Sequence, residues 1–149
     1  MSSSSSKVKL AGIHEADLQA LVIDLREMHK PSYPLLGLLA GSANGEVRPK
    51  RKNPKTGKWY SPSGQKLRRM GLIAGWPDLQ LPVPGKGTYS GYCGLFIEMK
   101  LPGESLSPEQ KALIPLLRSA GNYVVVCFDA ITAWNLVVDW LELPSRLRL

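Results

Sequence analysis

The spacing of apolar residues predicts a helix near the start of the chain and two strands in its middle. Residues 14–30 carry apolar side chains at helical spacing, ahead of prolines at 31 and 34 that would end the helix. The members of this stripe are Leu18, Leu21, Val22, Leu25 and Met28. Residues 78–83 and 94–100 have the composition of strands, and the glycine-rich connection between them favours a hairpin or neighbouring strands.

A second helix is predicted over residues 106–121 by its end signals. Ser107 is a good N-cap, Pro108 suits the first helical position, and Gln110 falls where a capping box needs it. Gly121 would end the helix. Pro115 removes one internal hydrogen bond, so we expect a bend there.

The last third of the chain predicts one more strand and one more helix. Residues 123–128, YVVVCF, form an uninterrupted apolar run typical of a strand buried on both faces. Residues 130–143 predict a closing helix with Trp134 and Trp140 as bulky anchors. The order α, β, β, α, β, α indicates an α/β domain.

Composition limits the classes of protein to consider. With 149 residues, 44% hydrophobic and 21% charged, the chain suits a single globular domain. No apolar run is long enough to span a bilayer, so we expect no membrane association. Two cysteines are too few for a disulfide framework, which favours a reduced, intracellular protein. Residues 1–9, rich in serine, are expected to be a disordered tail.

Positive charge is concentrated between residues 47 and 77. The net charge of +7 favours a polyanionic partner, and this stretch holds nine Lys or Arg and no Asp or Glu. Within it, residues 53–59, NPKTGKW, predict a turn between two extended arms in a region that otherwise reads mostly as loop. Trp59 and Tyr60 lie among the cations, as suits base stacking combined with backbone contact. A solvated basic loop is the alternative.

Two carboxylates and an ammonium group lie at the ends of the two central strands. Glu98 and Lys100 share one face of their strand, while Leu95, Ile97 and Met99 face the other way. If the strand that begins at Asp78 is adjacent, the Asp78 and Glu98 carboxylates and the Met99 carbonyl form a hard oxygen set suited to Mg²⁺. A turn-capping Asp and an exposed Glu-x-Lys pair would account for the same residues without chemistry.

At these residues the chain resembles the VRR-NUC family, the virus-type replication-repair nucleases of the PD-(D/E)XK, or restriction-endonuclease-like, superfamily. The resemblance covers nearly the whole chain after the serine-rich tail and is carried by EADLQ, NGEVR, GQKLRRMGLIAGWPDLQLPV, GLFIEMK, LSPEQKALIPLLRSAG and YVVVC. It implies a restriction-endonuclease-like core in which helices flank a central mixed sheet, here over residues 10–149 with a basic insert at about 47–69. Pro115 and this insert depart from the family pattern.

The resemblance also implies the roles of particular residues. Asp78 and Glu98 would be metal-binding carboxylates, with the Met99 carbonyl beside them, and Lys100 the catalytic lysine. Gln110 would be an additional member of the site. Glu15 is expected as the acid of the first helix, binding metal and contributing to catalysis, although Asp17 lies only two positions away.

The expected function is that of a Mg²⁺- or Mn²⁺-dependent DNA endonuclease that selects DNA by structure, similar to a resolvase of four-way (Holliday) junctions in replication or repair. The resemblance implies a cytoplasmic location in a bacterium or a phage-infected cell. A homodimer is expected, with the hydrophobic C-terminal helix that carries Trp134 and Trp140 as a possible interface, although core packing explains these tryptophans equally well. The alternative is a non-catalytic, basic nucleic-acid-binding module. Contacts to DNA are expected from Arg48, Lys50, Arg51, Lys52, Lys55, Lys58, Arg68 and Arg69.

Overall fold

A computed structural model describes residues 12–42 and 50–149. The serine-rich tail and the NGEVR segment, which includes Arg48, lie outside these residues. The helices are α1 (Glu15–His29), α2 (Pro62–Arg69), α3 (Pro108–Ser119) and α4 (Ala130–Trp140). The strands are β1 (Ala40–Gly41), β2 (Arg51–Lys52), β3 (Trp59–Tyr60), β4 (Leu79–Leu81), β5 (Leu95–Met99) and β6 (Tyr123–Cys127).

The central sheet is mixed and has the strand order β1, β4, β5, β6. β4 runs antiparallel to both β1 and β5, as the predicted pairing of the two middle strands requires. β6 runs parallel to β5, with Glu98 opposite Val126, and α3 forms the crossover between these two strands. The predicted α/β domain with a mixed sheet between helices is therefore confirmed.

The two faces of β5 pack into different apolar clusters. Leu95, Ile97 and Met99 lie in the main core with Trp134 and Trp140 of α4. Phe96 faces the opposite side, where it packs against a smaller cluster centred on Ile114 of α3. Since side chains alternate along a strand, Glu98 is placed on the α3 side of the sheet.

Both ends of α3 follow the predicted signals. The Ser107 hydroxyl accepts a hydrogen bond from the Gln110 N–H, and the Gln110 side chain accepts one from the Ser107 N–H at 2.8 Å. Gly121 has a φ of 92°, a left-handed conformation that suits glycine after a helix end. The helix continues through Pro115 and ends at Ser119.

Burial of the predicted faces differs from expectation in two elements. Leu21 and Met28 of α1 are 53% and 69% exposed, because α1 packs by its Val22 side and these residues lie at the margin of the stripe. The strand β6 is not fully buried on either face, because Val125 on one face and Val126 on the other are each half-buried. β6 is an edge strand of the described sheet, so one side of it lacks a covering neighbour.

The basic stretch contains more regular structure than its sequence predicts. β2 and β3 form the expected short hairpin, and the Asn53 side chain accepts hydrogen bonds from Lys55 N–H and Thr56 N–H in the turn. The loop predicted after it is wrong over Pro62–Arg69, which forms α2. The Ser61 hydroxyl caps this helix by accepting from Gly64 N–H at 3.2 Å, and Pro62 opens its first turn.

The C-terminal tryptophans belong to the core. Trp134 and Trp140 are fully buried, and their indole N–H groups donate to the carbonyls of Leu147 and Val83 at 2.7 and 2.8 Å. Core packing, the alternative to an interface role that the sequence left open, therefore accounts for these two side chains. Of the described helices, none has the length and apolar character that crossing a bilayer requires.

Candidate active site

The site is built at the end of β5, where it leaves the sheet. Glu98 is the penultimate residue of the strand and only 1% exposed, and Lys100 follows the strand directly. The Lys100 N–H donates to the Cys127 carbonyl of β6 at 2.9 Å, so the parallel pairing continues to this point. This backbone pairing holds the direction of the Glu98 and Lys100 side chains.

Asp78 reaches the same point from the neighbouring strand. It immediately precedes β4, and Leu79 pairs with Ile97, which places Asp78 beside the end of β5. The Asp78 carboxylate accepts a hydrogen bond from the Met99 N–H at 2.8 Å. Because the N–H and C=O of one strand residue point to the same side, the Met99 carbonyl also faces β4 and Asp78.

Lys100 joins α1 to the sheet by its charge. Its ammonium lies 2.8 Å from a Glu15 carboxylate oxygen and 3.2 Å from a Glu98 carboxylate oxygen. Glu15 is the first residue of α1, whereas the Asp17 carboxylate accepts a hydrogen bond from the His14 N–H at the exposed helix start. Of the two acids considered from sequence, only Glu15 is thus directed to the site.

Gln110 approaches Glu98 from the other side of the cavity. Its side-chain N–H donates to the Glu98 carboxylate, while its carbonyl oxygen completes the capping box of α3. Gly75 fixes the position of this helix start: it has a φ of 79°, and a Cβ there would lie 2.7 to 2.9 Å from backbone atoms of Glu109 and Gln110. Any side chain at 75 would therefore displace the turn that carries Gln110.

Burial and mutual repulsion shift the ionisation of the acids. Burial raises the pKa of Glu98 to about 7, with the Asp78 charge acting in the same direction and Lys100 against it. Burial also raises the pKa of Asp78 against the opposing Met99 N–H hydrogen bond. Burial would lower the pKa of Lys100, but Glu15 and Glu98 outweigh it and leave that pKa above its ordinary value. The ammonium is therefore charged at neutral pH.

Opposing contacts act on the pKa of Glu15. Burial raises its pKa, a hydrogen bond with the Glu104 side chain acts in the same direction, and Lys100 opposes both. The hydrogen bond with Glu15 is also the main reason that the pKa of Glu104 is lowered. Glu104, on the loop after β5, is therefore an acid next to the site that the sequence did not single out.

The donor set can accommodate a small divalent cation. The second carboxylate oxygen of Glu98, Oε2, is buried and has no hydrogen-bond partner within the described residues, so a cation beside it would satisfy it. Residues 12–42 and 50–149 hold no ready group of three or more His, Cys, Asp or Glu side chains around one point. Asp78, Glu98 and the Met99 carbonyl would hold the ion, with water and phosphate completing its coordination, as Mg²⁺ often retains several waters.

A cavity of about 280 Å³ opens over these groups. Its lining brings together Glu15, Asp78, Glu98 and Gln110 with residues from α2 and the turn after it, including Arg68 and Trp76. The remaining basic residues predicted to contact DNA, Lys50, Arg51, Lys52, Lys55, Lys58 and Arg69, lie outside this lining. They belong to the hairpin and to α2.

Gln19 contributes to the site in a way that the sequence did not reveal. Its side-chain N–H lies 3.2 Å from the Asp78 carbonyl and 3.5 Å from the Ser42 carbonyl, so it holds the backbone that carries Asp78. Gln19 is four residues after Glu15, and this spacing places both on one face of α1. The position of Gln19 on the same face as Glu15 was the sequence signal from which its place at the site could have been predicted.

Replacing Glu98 by glutamine should flatten the pH dependence of stability in the presence of chelator. Between the unfolded pKa of about 4.5 and the folded pKa of about 7, the folded protein binds more protons than the unfolded chain. Stability from this group is therefore lost as pH rises through that window, by up to about 3 kcal/mol. Glu98→Gln should remove most of that loss, measured as the free energy of unfolding in urea at pH 5 and pH 8.

The surface substitution Glu142→Gln is the matched control and should leave the wild-type pH dependence in place. Equal pH dependence in the wild-type and Glu98→Gln proteins would contradict the raised pKa of Glu98.

Comparison with known proteins identifies the family and the fold of the chain. The sequence model of the VRR-NUC domain matches residues 14–128, which include every element from α1 to β6. A solved structure named "VRR_NUC domain protein" superposes with a TM-score of 0.61 at 25% identity, over 90% of this chain and 93% of that one. No curated protein matches the sequence significantly. With the family match over most of its length and the same fold in a solved relative, the chain belongs to the VRR-NUC domain family of nucleases.

Proposed function

We propose that the protein is a Mg²⁺- or Mn²⁺-dependent endonuclease that hydrolyses phosphodiester bonds in DNA. Family membership implies a nuclease with DNA as its substrate, and the chemistry of the site supports the finer statement. The observation that carries it is the position of the Lys100 ammonium, held by Glu15 and Glu98 in the same cluster as Asp78. Two buried carboxylates with raised pKa values beside a charged lysine are costly to maintain without a function.

Each residue of the site would take part in hydrolysis in its own way. When bound, the divalent ion supplies Lewis acidity, lowering the pKa of water and balancing charge on the phosphate. Burial acts to lower the pKa of Lys100, but Glu15 and Glu98 hold it above its ordinary value, so the ammonium would donate hydrogen bonds to the attacking water or to a phosphate oxygen. Glu15 holds the ammonium in place, and Gln110 orients the Glu98 carboxylate. Gln19 holds the Asp78 backbone.

The domain that performs this reaction is proposed to extend over residues 10–149, with residues 47–69 as a basic insert. The family match ends at residue 128, but α4 follows it and supplies Trp134 and Trp140 to the main core. A domain without α4 would lose the largest apolar side chains of its core. The helix is therefore part of the folding unit.

The metal requirement is the direct test of the function. Pure protein incubated with labelled duplex, flap and four-way junction DNA should cut at least one of them in Mg²⁺ or Mn²⁺. Excess chelator should stop the reaction and restored metal should recover it, because the buried carboxylates need a cation to hold the scissile phosphate. Undiminished cleavage in chelator would refute the metal-dependent mechanism.

A non-catalytic basic module is the second candidate function, and it is favoured only by the charge of the hairpin and α2. Such a module has no use for an ammonium between two carboxylates, which separates it from a nuclease. DNA binding without cleavage of any of the three substrates, in either metal, would support it.

We further propose a homodimer that acts on four-way junctions. One chain supplies a single set of Asp78, Glu98 and Lys100, whereas a symmetric junction must be cut on two strands. A two-fold dimer would supply two such sites. Light scattering at micromolar concentration should then give about twice the chain mass of 16.4 kDa, and a monomer mass would refute the dimer.

A further inference from the structure

A second groove lies between the basic hairpin and α2. Its volume is about 510 Å³, larger than that of the active-site cavity. The groove is lined by Lys50, Trp59, Tyr60, Ser61, Gly64, Gln65 and Arg68. Its walls thus combine cations, aromatic rings and small polar side chains.

Trp59 is a large aromatic residue of this groove that is left mostly exposed. The side chain is 67% exposed, and its ring stacks on no other ring in the described part of the chain. Lys52 lies opposite Trp59 in the hairpin, so both side chains project from one face of the ribbon. The hairpin therefore presents a free indole surface beside positive charge.

Arg68 connects the groove to the active site, because it lines both cavities. Between residues 50 and 77 the chain has eight Lys or Arg and no Asp or Glu, so no acid of this segment offsets the charge along the groove. A strand of nucleic acid leaving the carboxylate cluster past Arg68 would enter the groove with its phosphates next to cations.

We propose that this groove binds an unpaired nucleotide of the DNA strand that is being cut, with its base stacked on Trp59 and its phosphate held by Lys50 and Arg68. The proposal rests on the proposed nuclease function and adds to it a preference, among the DNA structures that are cut, for those with an unpaired base beside the cleavage point, such as flaps. In an intact duplex both faces of each base are covered by neighbouring bases, so Trp59 can stack only on a base that is already unpaired or is flipped out at a cost.

Binding in chelator tests the groove independently of cleavage. The probe is a short single-stranded oligonucleotide with one 2-aminopurine, compared with a duplex of the same sequence. Trp59→Ala should weaken binding of the single strand by on the order of tenfold and reduce the quenching of 2-aminopurine. Trp59→Phe should restore most of both, because the phenyl ring still offers a stacking face. Affinity for the duplex should change much less.

Met28→Ala is the matched control, since Met28 is also a large apolar side chain, is 69% exposed and lies near the other end of α1 from Glu15. This variant should bind both probes like the wild type. Equal losses for single strand and duplex in Trp59→Ala, or no loss for either, would overturn the proposal.

Cleavage assays separate this proposal from the function on which it rests. If DNA is cut and Trp59→Ala cuts flap and duplex DNA in the wild-type ratio, the groove proposal fails while the nuclease function stands. If no DNA is cut but Trp59→Ala loses single-strand binding selectively, the groove binds an unpaired nucleotide as proposed, while the nuclease function fails. Loss of flap cleavage greater than loss of duplex cleavage supports both.

Discussion

Lys100→Ala and Asp78→Ala should each lower the rate of strand cleavage by about three orders of magnitude or more, while binding of DNA persists. Lys100 supplies the only charged donor that contacts the two acids Glu15 and Glu98 in the described site, and Asp78 supplies one of its two buried carboxylates. Losses of about 10² to 10⁴ are typical when a positioned acid, base or charge is removed. The measurement is single-turnover cleavage at saturating protein, with affinity measured separately in chelator.

Lys30→Ala is the matched control for these variants. Lys30 is also a lysine paired with a carboxylate, that of Glu27, but on the exposed surface at the far end of α1. Its loss should leave cleavage unchanged, because an exposed ion pair contributes little to stability. Circular dichroism should show that all three proteins are folded. Efficient cleavage by folded Lys100→Ala or Asp78→Ala would show that the site has been assigned wrongly.

Neutralising the basic hairpin should weaken DNA binding and flatten its dependence on salt. Each cation that contacts a phosphate adds about 0.9 to the magnitude of the salt slope on duplex DNA. Replacing five cations with glutamine should therefore reduce that slope by about 4 to 5 if all of them make such contacts. The residues to replace are Lys50, Arg51, Lys52, Lys55 and Lys58. Affinity measured between 50 and 200 mM salt tests this.

The chemistry should respond differently from the binding. These five side chains lie outside the cavity that holds Asp78 and Glu98, so single-turnover cleavage of duplex DNA at saturating protein should change little. A control that neutralises Lys30, Arg146 and Arg148 measures the effect of net charge alone and should give a smaller loss per charge. If the hairpin variant kept its affinity and its full salt slope, the hairpin would be a solvated loop. The DNA-contacting cations would then have to be sought at Arg68, Arg69 and Lys86.

Local sequence patterns determined most elements of this protein. The apolar alternation of β5 and the capping signals of α3 involve residues within a few positions of each other, and both elements form as the patterns predict. The hairpin of β2 and β3 was likewise visible from its turn residues. The helix α2 was missed because its cations and glycine masked a Ser-Pro start signal that is itself local.

The composition of the candidate site was only partly readable from sequence. Glu98 and Lys100 are two positions apart on one strand, so their shared face follows from the period of a strand. The proximity of Asp78 needed one further assumption, that its strand pairs with β5, and the antiparallel register satisfies it. Contacts between residues close together in sequence, and contacts that need only one assumed strand pairing, can be predicted from sequence patterns.

Only the tertiary structure decided which distant side chains meet at the site. The pair of Glu15 and Lys100 is separated by 85 positions, and the contact of Gln19 with the Asp78 carbonyl by 59. Both depend on how α1 docks on the sheet, which is determined by packing of Val22 and its neighbours in a core drawn from the whole chain. Periodicity specifies the face that a helix buries, but its position against a distant strand is set by the fit of side chains from many elements. For the same reason, the sequence predicted Arg68 only as one of several cations that contact DNA. The docking of α2 placed it between the carboxylate cluster and the Trp59 groove.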